Sequence, residues 1–283
     1  MPSRAGIWHS WSMLYRELPP DPRLSTLARA FWRVQEEHTP DTQEHRLLPE
    51  GTVNLTFQTG ASWHGTLDRA ALTRLPEATL SGLSLAPQRM VSPGLQRAMG
   101  VDLYPWAARQ LFGWSLGSPD LDLLARYPWP TRDIGALLRE NDWDGAQALL
   151  EHWLLLLWIE RAREPGKGIQ AAGQLYASHG VIRVATLAET LNVSSRQLER
   201  LFAQEVGVNA KTLARLIRFQ EVSHRLQRDP QQPLALLAYD LNFADQAHLT
   251  REFRALAQLT PGAFADFALL RAGHPVRREV QSL

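Results

Sequence analysis

Two stretches in the last third of the chain decide the fold: AETLNVSSRQLERLF at positions 188–202 and AYDLNFADQAHLTREF at positions 238–253. Ala188–Val193 aligns with Ala238–Phe243 at an offset of 50 residues, and Leu198–Phe202 aligns with Leu249–Phe253 at an offset of 51. Each copy predicts a short helix, a tight turn at an asparagine and a second helix, because asparagine tolerates the left-handed backbone of such a turn. This is the plan of a helix-turn-helix unit, here present twice.

The second helix of each copy is amphipathic. Apolar residues recur at helical spacing over Leu198–Phe202 in the first copy and over Leu249–Leu256 in the second, which predicts that this face of each helix is buried. Ser194 or Ser195 is predicted to cap the first of these helices and Asp245 the second. The opposite face of each helix is then left to solvent or to a partner.

Those outer faces carry the side chains that base recognition requires. An arginine can donate two hydrogen bonds to guanine O6 and N7, a glutamate can accept one from cytosine N4, and a helix N-terminus favours phosphate. The alternative is that these are solvated faces of a helical protein-interaction module. The candidate DNA contacts are Ser195, Arg196, Glu199, Arg200, Gln246, Ala247, His248, Thr250, Arg251 and Arg254.

Residues 168–271 resemble the DNA-binding domain of the AraC/XylS family of bacterial transcription regulators. The resemblance implies two helix-turn-helix units joined by a long helix, Ala210–Arg228, with both recognition helices in successive major grooves on one face of DNA. Asn242 and Gln258 stand where the family usually has glycine, and Ala210 where it usually has proline. The matching residues are Leu187, Ala188, Leu191, Val193, Ser194, Leu198, Leu201, Phe202, Gly207, Arg218, Leu226, Ala238, Phe243, Asp245, His248, Phe253, Arg254, Thr260 and Pro261.

Composition divides the chain into two halves. Residues 1–165 hold 16 basic and 19 acidic residues, a net charge of −3, and residues 166–283 hold 14 and 10, a net charge of +4. All ten tryptophans lie between Trp8 and Trp158. The basic second half is therefore the candidate electrostatic footprint for nucleic acid, and the boundary is predicted near Arg161–Lys167.

The first half is predicted to be an α+β domain. Residues 13–100 are predicted to form a β-rich sensor or regulatory domain, with a cupin-like fold as one option, strands at Ala30–Val34 and Val53–Phe57, and one helix at Pro22–Ala30. Residues 101–163 form a helical extension or dimerisation segment. The all-α DNA-binding domain follows at 168–271, with seven helices, and residues 272–283 are a loose tail. The first twelve residues are either a loose arm or an extension upstream of a start at Met13.

A second resemblance concerns this first half. It is similar to an uncharacterised domain that often precedes AraC-type DNA-binding domains, which implies a sensor or interaction module whose effector is unknown. The residues that carry the resemblance are Leu18-Pro19-Pro20, Ala30-Phe31-Trp32, Leu48-Pro49-Glu50-Gly51 and Val53-Asn54-Leu55.

Other candidate sites in the first half are weaker. His45, His64 and Glu50 lack the close pairing of metal ligands on one element, so no metal is expected. Asp142 and Asp144 fit a helix start better than a catalytic pair. The aromatic residues Trp32, Phe57, Trp63 and Trp106 are predicted to be core, with a ligand pocket as the alternative.

The helix Asp144–Arg163 contains an apolar run, Trp153–Ile159. It is predicted to be buried. The alternative is a dimerisation seam, made by Leu150, Trp153, Leu154 and Leu157.

The sequence therefore predicts a sequence-specific transcription regulator that responds to an effector through its first half. Its partners are double-stranded DNA, a small-molecule effector, RNA polymerase and a second copy of the chain. No cofactor, catalytic site or membrane contact is expected, and the predicted location is the cytoplasm. An enzyme with an appended DNA-binding domain is the other alternative, but the repair methyltransferases built in this way need a cysteine, and the chain has none.

Overall fold

The structure, a computed structural model, describes residues 13–37, 43–67, 71–161, 163–272 and 277–280. The predicted arm at residues 1–12 lies outside these residues. As predicted, the first half is β-rich and the second half is helical. The strands are β1 (Met13–Leu18), β2 (Ala28–Glu37), β3 (Gln43–Leu47), β4 (Val53–Thr59), β5 (Trp63–Thr66), β6 (Thr73–Arg74), β7 (Ala78–Ser81), β8 (Gln88–Ser92), β9 (Leu95–Leu103), β10 (Leu121–Asp122) and β11 (Arg277–Val280).

The strands form two sheets. The larger sheet has the order β10-β7-β4-β9-β2-β1-β11, and the smaller has the order β3-β8-β5-β6. Alternation in β4 places Val53, Leu55 and Phe57 in the core, each at most 1% exposed, as a strand buried on one face requires. Trp106 is 7% exposed and lies at the edge of this core, where it also lines a cleft.

Two predictions for the first and last residues of the sheet region were wrong. The helix expected at Pro22–Ala30 is only one 3₁₀ turn, Pro22–Leu24, because Ala28 already starts β2, which pairs with β9 along its length. The tail expected to be loose contributes β11, which pairs in parallel with the otherwise open edge of β1. In both places strand pairing between distant segments of the chain determines the structure, and the local sequence preference does not.

Helices dominate from residue 105 onward. None of the described helices combines the length and apolar character that crossing a bilayer demands. The helices are α1 (Pro105–Phe112), α2 (Leu123–Arg126), α3 (Pro128–Arg139), α4 (Trp143–Arg161), α5 (Lys167–Ala177), α6 (Val184–Thr190), α7 (Ser195–Leu201), α8 (Ala210–Arg228), α9 (Leu234–Asp240), α10 (Gln246–Ala257) and α11 (Pro261–Ala272).

The apolar side of α4 lies inside the chain. Leu150, Trp153, Leu154 and Leu157 are at most 6% exposed and belong to the hydrophobic core. The burial prediction is confirmed, and a dimer seam made by these four residues is wrong because their surface is already covered by the chain itself.

The two halves share one hydrophobic core and a polar contact, which we call the Gly51 latch. It consists of Gly51, Tyr176 and Gln220. The Tyr176 hydroxyl on α5 donates to the Gly51 carbonyl, and the Gly51 amide donates to Oε1 of Gln220 on α8 at 3.2 Å. Both backbone groups of one residue in the first half are therefore satisfied by side chains of the second half.

A partly buried carboxyl cluster, made by Glu17, Glu50 and Asp102, lies beside the latch. Arg29 donates to Asp102 and, at 3.2 Å, to Glu17, while Glu50 has no cation of its own among the described side chains. Burial, and then the Asp102 carboxylate, raises the pKa of Glu50 to about 7. Burial also raises the pKa of Asp102.

The cluster predicts a pH dependence of stability. Because the Glu50 pKa is raised on folding, the folded chain keeps a proton that the unfolded chain loses above its ordinary glutamate pKa of about 4.3. We therefore expect the free energy of unfolding to fall as pH rises from about 4.3 to about 7, the window between these two pKa values. Glu50→Gln should flatten this fall in urea titrations. Glu140→Gln, at an exposed carboxylate, is the control, and an unchanged slope in Glu50→Gln would contradict the assignment.

Candidate nucleic-acid interface

The first helix-turn-helix unit is α6, a turn and α7. Asn192 has φ 51°, the left-handed conformation predicted for the turn. Ser194 caps α7, since its hydroxyl accepts from the Gln197 amide at 3.2 Å. Leu198 and Phe202 are fully buried, and a single π turn, Phe202–Val206, closes the helix. The predicted phase of this helix is confirmed.

The second unit repeats this construction with α9 and α10. Asn242 has φ 56° at the turn. Asp245 caps α10 by accepting from the His248 amide at 2.6 Å. Leu249 and Phe253 face the core. The two units therefore present equivalent faces of α7 and α10, with the same turn chemistry.

Most of the predicted contact residues are exposed on these two faces. Thr250 and His248 are half-buried, and both make local hydrogen bonds: Thr250 donates to the Gln246 carbonyl at 2.9 Å, and His248 Nδ1 accepts from the Ala244 amide at 3.3 Å. The His248 ring also packs edge-on against Phe243. The exposed candidates are Ser195, Arg196, Glu199 and Arg200 on α7 and Gln246, Ala247, Arg251 and Arg254 on α10.

The arginines of the two faces make no hydrogen bond or ion pair with the described part of the chain. Within the part of the chain that the structure describes, no ion pair or hydrogen bond engages the guanidinium of Arg196, Arg200, Arg251 or Arg254. Arg215 on α8, in contrast, binds Glu252 at 2.6 Å. A guanidinium group without an intramolecular partner can donate two parallel hydrogen bonds to guanine or to phosphate.

The helix α8 holds the second unit in place. Besides the Arg215–Glu252 pair, the Arg218 guanidinium lies 5.1 Å from the centre of the Phe243 ring, directly beside the turn. Phe219 packs 4.9 Å from Phe253. Arg218 matches the family pattern without an assigned role, and its contact with Phe243 supports the turn.

The departures from the family pattern are accommodated by the backbone. Asn242 takes the left-handed conformation that glycine would take. Asn209 caps α8 by accepting from the Thr212 amide at 2.8 Å. Gln258 ends α10 with φ 54°, and its amide still donates to the Arg254 carbonyl at 2.9 Å. The last turn of the second recognition helix is therefore formed despite the missing glycine.

Gln258→Gly is expected to stabilise the protein. A left-handed conformation costs an ordinary residue roughly 1–2 kcal/mol, and part of this gain is offset because glycine is more flexible in the unfolded chain. We expect a net gain of about 0.5–1 kcal/mol in urea unfolding. Gln231→Gly, outside a positive-φ position, should not stabilise, and a loss of stability in Gln258→Gly would contradict the strain argument.

Contacts from the first half reach both units, and sequence analysis missed them. Arg46 on β3 donates to the Ala257 carbonyl at the end of α10. The Leu116 amide donates to the Gly207 carbonyl at 2.7 Å, just after α7, and Arg109 donates to the Gln204 carbonyl at 3.2 Å. No local pattern marks these residues, since each acts through its position in the fold.

The metal candidates do not form a site. Among the described residues no group of three His, Asp or Glu side chains could hold a metal ion. His64 instead approaches Asp120 at 3.9 Å, and Glu50 belongs to the carboxyl cluster. The side chain of His45 lies outside the described residues.

Two family models match the chain. A helix-turn-helix domain model matches residues 187–266, and a model of a domain of unknown function, DUF6597, matches residues 16–118. No curated protein is similar enough in sequence to match.

Several solved structures resemble the chain in fold. ToxT from Vibrio cholerae is 11% identical, with a TM-score of 0.48 over 92% of this chain and 99% of that chain. The C-terminal domain of AraT, a response regulator from Geobacillus stearothermophilus, is 21% identical, with a TM-score of 0.35 over 38% and 88%. The AraC-like activator CuxR is 16% identical, with a TM-score of 0.27 over 68% and 76%.

The family models coincide with the two halves of the fold. The helix-turn-helix match spans α7, α8 and α10, and the DUF6597 match spans the larger part of both sheets. The chain thus carries an AraC-type helix-turn-helix domain in its second half and a DUF6597 domain ahead of it.

Proposed function

We propose that the chain binds two blocks of one operator, with α7 reading the first block and α10 the second. The observation that carries this proposal is that α7 and α10 present equivalent exposed faces, whose arginines have no partner within the described chain. Guanine can accept two hydrogen bonds from each of the exposed arginines, Arg196, Arg200, Arg251 and Arg254. Cytosine can donate one to Glu199.

The remaining contacts divide between bases and backbone. Gln246 is suited to adenine, and Ala247 to a thymine methyl group. Ser195, at the N-terminus of α7, is suited to phosphate. His248 and Thr250 reach DNA only after their local hydrogen bonds rearrange, so we assign them to phosphate or to the geometry of the turn rather than to bases.

Regulation completes the proposal. An effector in the first half would change operator binding, because the first half contacts the ends of both recognition helices.

The chain would work in the cytoplasm, where a bacterial chromosome lies, and would act by binding alone, without catalysis. Recruitment of RNA polymerase is compatible with this role. A homodimer would use a face other than the buried side of α4; Leu156 and Ile159, 43% and 79% exposed, are the candidates there.

The test is selection of the full chain on a random pool of double-stranded DNA at one fixed salt concentration, since phosphate contacts make affinity depend steeply on salt. We expect a motif with two short blocks about one helical turn apart, roughly 10 base pairs. A motif with one block would mean that one unit holds only the backbone. No enriched motif would overturn the proposal and favour the protein-interaction module.

A further inference from the structure

We propose that the cleft between the two halves binds an uncharged aromatic small molecule. The inference deepens the proposed function and rests on it, because it locates the effector site of the regulator. The interdomain cleft has a volume of about 800 Å³ and is lined by the start of β2, by α1 and the end of α4, and by α5 and α8. That volume is typical of sites for drug-sized ligands, which often lie between domains.

The wall of the cleft is aromatic. The rings of Tyr104 and Trp106 are stacked 4.5 Å apart, within 9° of parallel. Tyr176 meets both rings edge-on, at 4.9 and 5.6 Å. Trp158 and Ile217 complete the apolar lining. Tyr104 and Tyr176 are half-buried, so the side of this ring cluster that lines the cleft favours stacking and T-shaped contacts with a planar aromatic ligand.

Two charged groups of the cleft are already compensated by the protein, and a third, Arg163, is exposed, so that its charge is hydrated. Arg29 is engaged by Asp102 and Glu17. Glu221 is paired with Arg225 at 2.7 Å and lies 3.3 Å from His179. A charged ligand would have to compete for these partners or remain unpaired in a partly desolvated site, which is costly.

Neutral hydrogen-bonding groups remain for the ligand. Burial lowers the pKa of His224, so the imidazole is neutral at pH 7 and can both donate and accept. Gln110 and Gln220 also line the cleft. The chemistry therefore fits a molecule with an aromatic body and one or two uncharged polar groups, such as a phenol.

The position of the cleft explains how the ligand would act. Tyr176 and Gln220 line the cleft and also form the Gly51 latch. A ligand that contacts them changes the free energy of the contact between the halves, and through it the arrangement that holds α7 and α10. Ligand and DNA binding are then linked, and each changes the affinity for the other by the same factor.

The chain offers a matched pair of variants. Gly173 lies on α5 in the lining of the cleft, and a Cβ built there meets no heavy atom within 4 Å. Gly262 on α11 has the same open surroundings away from the cleft. Gly173→Leu should place a side chain in part of the cleft, and Gly262→Leu is the control. Thermal melting of both variants verifies that they fold.

The probe is N-phenyl-1-naphthylamine, a neutral aromatic dye that fluoresces in apolar sites, titrated into the full chain at pH 7. We expect saturable binding to the wild type and to Gly262→Leu, and affinity lower by about tenfold or more in Gly173→Leu, the loss expected when a side chain occupies ligand volume. 2-Naphthol should displace the dye, whereas its anionic analogue 2-naphthoate should not.

Three results would overturn the inference: no saturable binding, equal binding to Gly173→Leu, or equal displacement by 2-naphthoate. Operator binding measured on the same samples separates the two proposals. A chain that binds its selected operator but not the dye overturns the cleft alone. A chain that selects no DNA sequence overturns the regulator proposal, whatever the dye does.

Discussion

Alanine at both Arg196 and Arg251 is expected to remove most of the preference for the selected operator over random DNA. Each arginine is exposed on one recognition helix and free of partners within the described chain. A bidentate contact to a base contributes about 1–3 kcal/mol of discrimination. Because the two residues lie in different units, their effects should add to roughly 2–6 kcal/mol.

The measurement is fluorescence anisotropy at one salt concentration, on the selected operator and on an unrelated duplex. Each single variant should relax base preference within its own block only. Arg132→Ala removes the same charge from an exposed position of α3, in the first half, and is expected to bind the operator like the wild type.

The pattern of loss separates two kinds of contact. If the variants weaken both duplexes equally, the arginines bind phosphate rather than bases, and the readout has to come from other residues of α7 and α10. If Arg196→Ala loses specificity and Arg251→Ala does not, the second unit holds the backbone while the first reads sequence.

The units themselves could be predicted because their information is local. Asparagine at the turn, a capping residue and apolar residues at helical spacing lie within about 15 residues of one another, and the structure places Asn192, Asn242, Ser194 and Asp245 as these signals require. Repetition of the pattern then distinguishes it from a chance amphipathic helix. Gln258 shows the limit of this reasoning, because a helix stop can be formed by tertiary packing without its usual glycine.

The contacts between the halves could not be predicted because they depend on distant pairing. Gly51 meets Tyr176 and Gln220 across more than 120 positions of sequence, and Arg46 meets Ala257 across 211. Nothing near Gly51 distinguishes it from an ordinary turn glycine. The same reason accounts for β11, whose pairing with β1 joins the two ends of the chain.

Phe253→Ala is expected to destabilise the second half strongly. Phe253 is 2% exposed and lies 4.9 Å from the Phe219 ring and 5.5 Å from the Phe264 ring. Removing a buried phenylalanine side chain costs about 3–5 kcal/mol, from lost burial and from the cavity that remains. Tyr239→Ala, at an aromatic residue that is 84% exposed, should change stability by less than about 0.5 kcal/mol.

The distribution of tryptophan makes this variant a test of coupling between the halves. All ten tryptophans precede residue 159, so their fluorescence in urea reports the first half and its contacts with the second, such as that of Trp106 with Tyr176. Far-ultraviolet circular dichroism also reports the helices of the second half. Because the halves share one hydrophobic core and the Gly51 latch, we expect Phe253→Ala to shift both transitions to lower urea together. A shift in circular dichroism with unchanged fluorescence would mean that the halves unfold independently. The contacts between the halves would then contribute too little free energy for effector binding in the first half to change DNA binding by α7 and α10.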